Sequence, residues 1–355
     1  ANNAMDYVVL NMTSKNATME WDFEGASHVN PTVVEKVEST ENEDGSKTYT
    51  WTIKDGLVWS DGSPITAHDY VAGIMFGSSP QMVKFKSKGT GGYYLKGYEA
   101  WHNAEKKEFE GVRLLDEKTF ALTIAAENLP NFYEQVNASS APFKLSYWIG
   151  DDTVIKDDGE GCYFDGPFGD MISYGVEEEP EEEAPAEEEG EEGEEAEETE
   201  EPVELTEEEQ AASEEAAAKE GLSEEQAALY DRFNASIQAA RFGTDDWPSS
   251  GPYKIKSYNK GTKEVVLEIN DKYPGNYEGQ KPSIQTVVIQ EVFDSTAMDQ
   301  FKTGQISLLP SQNSGDTINA GLDLVEDGDQ FDYVTYPRAG YGLLDFKCDV
   351  GPTRF

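Results

Sequence analysis

The sequence predicts a mixed α/β (α+β) fold, and three observations carry that expectation. Residues 46–59, "SKTYTWTIKDGLVW", put Tyr49, Trp51 and Ile53 on one face and Thr48, Thr50 and Thr52 on the other, the period of two of a half-buried strand. Directly after it, residues 67–76 set Tyr70, Val71, Ile74 and Met75 on one helical stripe. Further on, "VVLEI" at 265–269 and "IQTVVI" at 284–289 read as strands followed by a short helix. Strands and short helices interleave irregularly, which suits a lobe built on a mixed sheet.

The elements follow in chain order. Asp55-Gly56 turns the first strand into a second short one, and Asp61-Gly62 turns the chain again after Trp59, which reads as exposed. Thr66 sits where an N-cap belongs, its hydroxyl placed to accept from the Asp69 backbone N–H while the Asp69 carboxylate favours the positive helix end. Residues 109–124 form a hairpin, with "GVRLL" and "TFALTI" flanking the polar turn Asp116-Glu117-Lys118. "LPNFYEQV" then opens a helix one or two residues after Pro130. Capping boxes appear at Thr206 to Glu209 and at Ser223 to Gln226, with Gly221 and Gly243 as stops. The first of these helices has only alanines to bury and stays solvated, whereas the second carries Tyr230, Phe233 and Ile237 on one stripe and docks. The helix in "STAMDQFKTG" takes Ser295 as N-cap and Gly304 as its stop.

Composition narrows the function. The 355 residues suffice for two compact domains, or one large lobe with an appendage, and only 37% are apolar. Residues 177–220 hold 24 Glu against one Lys, about half of the chain's net charge of −44. Their core, 177–202, buries too little apolar surface to offset the entropy of ordering and is expected to be disordered. Such an acidic balance repels phosphate backbones, which argues against nucleic-acid binding, and it gives no electrostatic attraction to anionic lipid surfaces. No run approaches the roughly 20 apolar residues of a membrane helix, no signal peptide is visible, and the N-terminus reads as mature or trimmed.

Chemistry is sought and mostly not found. Cys162 and Cys348 form neither a disulfide framework nor a zinc site, with a single long-range bridge and two unrelated thiols both left open. His28, His68 and His102 share no metal-like spacing. "DDGEGCYFDGPFGD", residues 157–170, lacks the ligand spacing of a calcium loop and reads as polar surface. There is no Gly-x-Ser-x-Gly elbow, no phosphate-binding Gly-Lys-Ser/Thr loop and no His-Glu-x-x-His, so neither a cofactor nor a metal is expected. The many carboxylates leave a glycoside hydrolase open on composition alone. What stands out is 18 Tyr and 6 Trp, clustered at 93–101 ("YYLKGYEAW") and 333–342 ("YVTYPRAGYG"), a composition suited to gripping polar ligands as well as to packing.

"YTWTIKDGLVWSDGSPITAHDYVAG" closely resembles the signature of extracytoplasmic solute-binding proteins of the oligopeptide, dipeptide and nickel class, which serve ABC importers. Three further stretches match that family in order: "SGPYKIKSYNKGTKEVVLEINDKYPGN" (250–276), "IQTVVIQEVFDSTAMDQFKTGQIS" (284–307) and "AGYGLLDFKCDVGPTRF" (339–355). Ser307 stands where the family usually has Asp, and the acidic insertion is not a family feature.

The resemblance implies a periplasmic-binding-protein-like type II lobe with the extra subdomain of the oligopeptide class. Residues 1–45 with 230–310 would form the main sheet of the first lobe and 46–150 the extra subdomain. Residues 151–229 would be an insertion and 311–355 the start of a second lobe. Most of that lobe would follow residue 355, so the chain resembles a truncated protein holding half a site and binding peptides weakly or not at all. The implied function is non-enzymatic capture of oligopeptides outside the membrane, as a periplasmic protein or cell-surface lipoprotein whose lipid anchor is not in this chain, for delivery to a permease. Oligosaccharides or nickel chelates are the alternatives within the fold; an acidic interaction protein is a further alternative outside it. Tyr93, Tyr94 and Trp101 are the implied first-lobe ligand contacts, with Leu309 and Tyr341 near the crossover.

Overall fold

The computed structural model describes residues 4–22, 24–85, 87–175, 219, 222–242, 247–310, 312, 314–328 and 330–335. Tyr341, Cys348, the acidic tract, the Thr206 capping box and the segment 339–355 lie outside these residues. Residues 1–20 with 29–289 form one compact unit, and 21–28 with 290–355 a second.

The first unit opens with helix α1 (Ala4–Thr13); strands β1 (Met19–Trp21) and β2 (Ser27–Val29) form a two-stranded sheet. Its main sheet has the order β3-β4-β6-β5, all antiparallel: β3 (Val34–Glu41), β4 (Lys47–Ile53), β5 (Val112–Leu114) and β6 (Thr119–Ile124). β4 has the expected alternation, with Tyr49, Trp51 and Ile53 buried and the threonines facing outward, and its register sets Trp51 opposite Phe120 and Tyr49 opposite Leu122. The 109–124 hairpin forms as expected, Val112 facing Leu122 and Leu114 facing Phe120. β3 lies within 1–45 yet pairs with β4, so that segment adds a strand to this sheet.

Helix α2 (Ala67–Met75) covers the apolar face with the four predicted residues, Tyr70, Val71, Ile74 and Met75, all buried. Tyr70 stacks on Phe120, ring centroids 5.4 Å apart, and the Trp51 indole N–H donates to the Ala138 carbonyl at 2.7 Å. Each such large side chain contributes about 1.5–3 kcal/mol on burial. At the N-terminus of α2 the Asp69 carboxylate accepts from the Thr66 backbone N–H at 2.8 Å, and the Thr66 hydroxyl turns to the same carboxylate at 3.2 Å. The Asp69 N–H donates to the Thr66 carbonyl and also faces the Thr66 side chain, so Thr66 and Asp69 form a capping box in which the Asp69 carboxylate makes the shorter bond. Trp59 is buried, contrary to the exposed reading: the turn at Gly62, closed by its N–H to the Trp59 carbonyl, folds the indole back onto the core.

Short helices α3 (Pro80–Lys84) and α4 (Tyr98–His102) precede the hairpin, and α5 (Glu134–Asn137) and α6 (Leu145–Ile149) follow it. α5 starts four residues after Pro130, later than expected. Asn131 is the reason, its side chain accepting from the Tyr133 N–H and its carbonyl from the Glu134 N–H, which holds a turn ahead of the helix. A small hairpin, β7 (Val154–Asp157) with β8 (Cys162–Asp165), leads to α7 (Pro167–Asp170). Cys162 carries a free thiol whose pKa burial pushes up. Helix α8 (Glu224–Phe242) has the predicted capping box, Ser223 N–H to Gln226 Oε1 at 3.0 Å and Gln226 N–H to Ser223 Oγ at 3.2 Å, and buries Tyr230, Phe233 and Ile237. The unit ends in the antiparallel sheet β11-β10-β9, with β9 (Tyr253–Asn259), β10 (Glu264–Ile269) and β11 (Thr286–Ile289).

In the second unit, α9 (Asp294–Lys302) and α10 (Gly315–Glu326) pack with Phe301 5.1 Å from Phe331. α9 begins one residue before Ser295. The Phe293 carbonyl already accepts from the Thr296 and Ala297 N–H groups, so Phe293 is the N-cap and Ser295 lies in the first turn. Gly304 stops the helix at φ 73°, as expected.

Candidate functional site

The two tyrosines that the sequence singles out sit on a loop fixed from both sides. Gly91 passes so close to α2 that a β-carbon would stand 2.6 Å from the Ile74 carbonyl oxygen, and Gly92 turns at φ 80° against Ile74 and Phe109. Beyond the tyrosines, Leu95 is buried and bridges Ile124, while the Tyr94 carbonyl accepts from the Ala125 N–H and the Asn128 side-chain amide. The backbone therefore cannot fold the rings inward. Tyr93 remains 53% exposed and Tyr94 38% exposed, packed edge to face with centroids 5.3 Å apart. Tyr93 also leans on Tyr98, which stacks on His102 at 4.9 Å, and the His102 Nδ1 lies 2.6 Å from the Ser78 carbonyl. The result is an aromatic surface on a rigid support, apolar on its faces and polar at two phenol tips.

The other expected residues fare differently. Trp101 is 0% exposed and stacks on Phe109 at 4.7 Å and 14°, so it is core and not a contact. α4 turns it inward three residues after Tyr98. Leu309 is half-buried in the second unit, and Tyr341 lies outside the described residues.

Sequence reading missed a second aromatic pair. Phe132 is 92% exposed and meets Tyr133 edge to face at 4.9 Å. Three residues separate Phe132 from Asn128, whose side chain reaches the Tyr94 carbonyl, and just beyond the pair Glu134 accepts from Lys47 Nζ at 2.5 Å and from the Tyr49 hydroxyl at 2.7 Å. Lys47 above all, then Tyr49, holds the Glu134 carboxyl below its usual range. The signal was present in "NFYEQ", which the sequence reading placed at the start of a helix without singling out the pair.

A separate concavity of about 580 Å³ lies on the outer face of the main sheet, floored by Thr48, Thr50 and Thr123. Its cations are already engaged: Lys96 between Asp44 (2.8 Å) and Glu110 (2.7 Å), and Arg113 on Asp157 through two bonds of 2.7 and 2.9 Å. Burial raises the Asp157 carboxyl, but Arg113 and the Gly159 and Leu114 N–H groups outweigh it and hold the pKa low. Asp157 and Asp158 thus serve the 157–170 loop itself, and no group of three potential metal ligands occurs among the described residues.

Comparison with known proteins decides the family. The profile of bacterial extracellular solute-binding proteins, family 5 (middle), matches residues 29–354. The chain belongs to this family. Among its curated relatives, dipeptide-binding protein DppE of Bacillus subtilis is 26% identical over 145 residues, covering 34% of this chain and 26% of that protein. Oligopeptide-binding protein OppA of the same organism is 31% identical over 173 residues, covering 38% and 30%. The chain thus spans less than a third of either relative's length in these matches. Among solved structures, OppA of Burkholderia pseudomallei superposes with a TM-score of 0.50 at 16% identity, over 89% of this chain and 43% of that one. That likeness places the family 5 chain in the OppA-type periplasmic binding-protein fold, as expected from the sequence. No helix among the described residues is long and apolar enough to cross a membrane.

Proposed function

We propose that this protein is the substrate-binding component of an ABC importer and that it captures oligopeptides outside the cell membrane. Family membership supports solute binding, and relatives named for dipeptides and oligopeptides support the ligand class. The observation that carries the reading is the Tyr93–Tyr94 pair, exposed on a loop that Gly91, Gly92 and the 124–128 segment hold in place. Paired tyrosines contact varied side chains at low entropic cost, and their hydroxyls reach peptide groups directly or through water. Peptide backbones are usually held by main-chain bonds in the manner of an added strand, so side chains are tolerated and not read.

In this role the ligand leaves chemically unchanged, a permease receives it, and the protein works outside the membrane. The lobe boundaries near residues 45 and 310 belong to the same proposal. Calorimetry and native mass spectrometry of the full-length protein with a peptide pool test it. Saturable peptide binding that drops at least fivefold in Tyr93→Ala/Tyr94→Ala is expected. Selective binding of nickel chelates or oligosaccharides from matched pools, with none of peptides, would overturn it.

A further inference from the structure

Three side chains packed away from solvent at the Trp59 corner keep polar atoms without a partner among the described residues. Asn16 is fully buried and its backbone lies in the left-handed region at φ 66°, yet neither its amide nitrogen nor its amide oxygen is hydrogen-bonded. The Trp59 indole nitrogen and the Ser249 hydroxyl are in the same condition.

The backbones that carry these groups are tied together. Ser60 N–H donates to the Ser249 carbonyl at 2.9 Å, and Ser249 N–H to Ser60 Oγ at 3.0 Å. Lys15 N–H donates to Ser250 Oγ at 3.0 Å, and that hydroxyl donates back to the Lys15 carbonyl at 2.7 Å. The Asn16 carbonyl accepts from the Tyr70 hydroxyl at 2.7 Å, whereas its side-chain amide is unused. Segments 15–16, 59–60 and 249–250, remote in sequence, are therefore bonded to one another, and each carries a buried side chain with an unpartnered polar atom.

We infer that this corner is an internal hydration site, where one or two water molecules bridge the Asn16 amide, the Trp59 indole N–H and the Ser249 hydroxyl. The chemistry is complementary. The indole offers only a donor, the amide offers both donors and an acceptor, and the hydroxyl offers either, so a water here finds the two to four partners that hold it. Buried polar groups are almost always paired, with protein or with water. The inference also gives Asn16 a reason to stand at a left-handed position, where glycine is the default: it brings an amide to a junction that needs one.

Water-selective NOE and ROE spectroscopy on protein labelled with ¹⁵N-tryptophan tests this, with Trp59→Phe assigning the indole signal. The expected result is a Trp59 indole cross-peak to long-lived water. It should persist in Ser249→Ala, where relay through the hydroxyl is impossible. It should be lost in Asn16→Gly/Ser249→Ala, where the indole is the last of the three unpartnered groups. Glycine suits φ 66°, and circular dichroism checks that the double variant is folded; if it is not, the wild type and Ser249→Ala decide. An indole proton that meets Asn16 amide protons and no water would show direct pairing and overturn the inference. An undiminished water peak in the folded double variant would overturn it as well.

Discussion

Trp101 and Tyr93 differ by eight positions and by almost everything else. Trp101 is sealed against Phe109, so Trp101→Ala should cost about 3–5 kcal/mol in urea unfolding. Tyr93→Ala with Tyr94→Ala removes rings that are already wet, and its melting transition should stay within a few degrees of wild type. A loss as large as that of Trp101→Ala would show the tyrosines to be core. Asp69 supplies a second residue-scale test. Burial raises its carboxyl from 3.8 to about 6, against the lowering bonds from Thr66. The folded state therefore holds the proton more tightly than the unfolded state. The stability this group contributes is full below about pH 4 and is lost as pH rises through about 6, amounting to roughly 2–3 kcal/mol. Urea titrations of wild type and Asp69→Asn at pH 4, 5, 6 and 7 should show a difference that changes by this amount, because the substituted amide cannot ionise while its oxygen still accepts from Thr66. A pH-independent difference would refute the raised pKa.

At the scale of elements, close backbone approach decides what substitution can do. Gly73 lies in α2 where a β-carbon would meet the Ala141 carbonyl oxygen at 2.2 Å, whereas a β-carbon at Gly77, just past the same helix, would meet nothing within 4 Å. Gly73→Ala should cost more than about 2 kcal/mol, because the 138–143 segment that receives the Trp51 indole must move, while Gly77→Ala should change stability by under about 1 kcal/mol. Equal melting shifts would contradict this account. The β5 to β7–β8 joint makes a similar point with charge: Arg113→Met leaves the mostly buried Asp157 carboxylate without its cation and should destabilise by about 3 kcal/mol. Because Arg113 is the largest of the groups that hold the Asp157 pKa low, ahead of the Gly159 and Leu114 N–H groups, that loss should shrink as pH falls below about 4, which unfolding at pH 3.5 and 7 would reveal.

For the whole molecule, charge dominates. A net charge of −44 on 355 residues repels itself in the compact state more than in the expanded one. Raising sodium chloride from 20 mM to 500 mM shortens the screening length from about 20 Å to about 4 Å. The melting temperature should therefore rise by several degrees. A flat or falling response would place the charges where folding does not bring them closer.

Local pattern carried much of this protein on its own. The alternation in β4, the 109–124 hairpin, the stripe of α2 and the Ser223 capping box were all readable, because each rests on contacts between near neighbours with a fixed period. The family, too, was readable from ordered motifs. Tertiary structure decided which aromatic side chains meet solvent. Trp101, Tyr93 and Phe132 are all large aromatic residues beside polar neighbours, and packing separates them: α4 turns one ring into Phe109, two glycines hold the next on a loop against α2, and Asn131 holds a turn that leaves the third exposed. Trp59 was misread for the same reason, since the turn at Gly62 lays its indole on a core gathered from Val33 to Phe233. Exposure is a property of what approaches a residue, and approach over such distances leaves no period in the sequence.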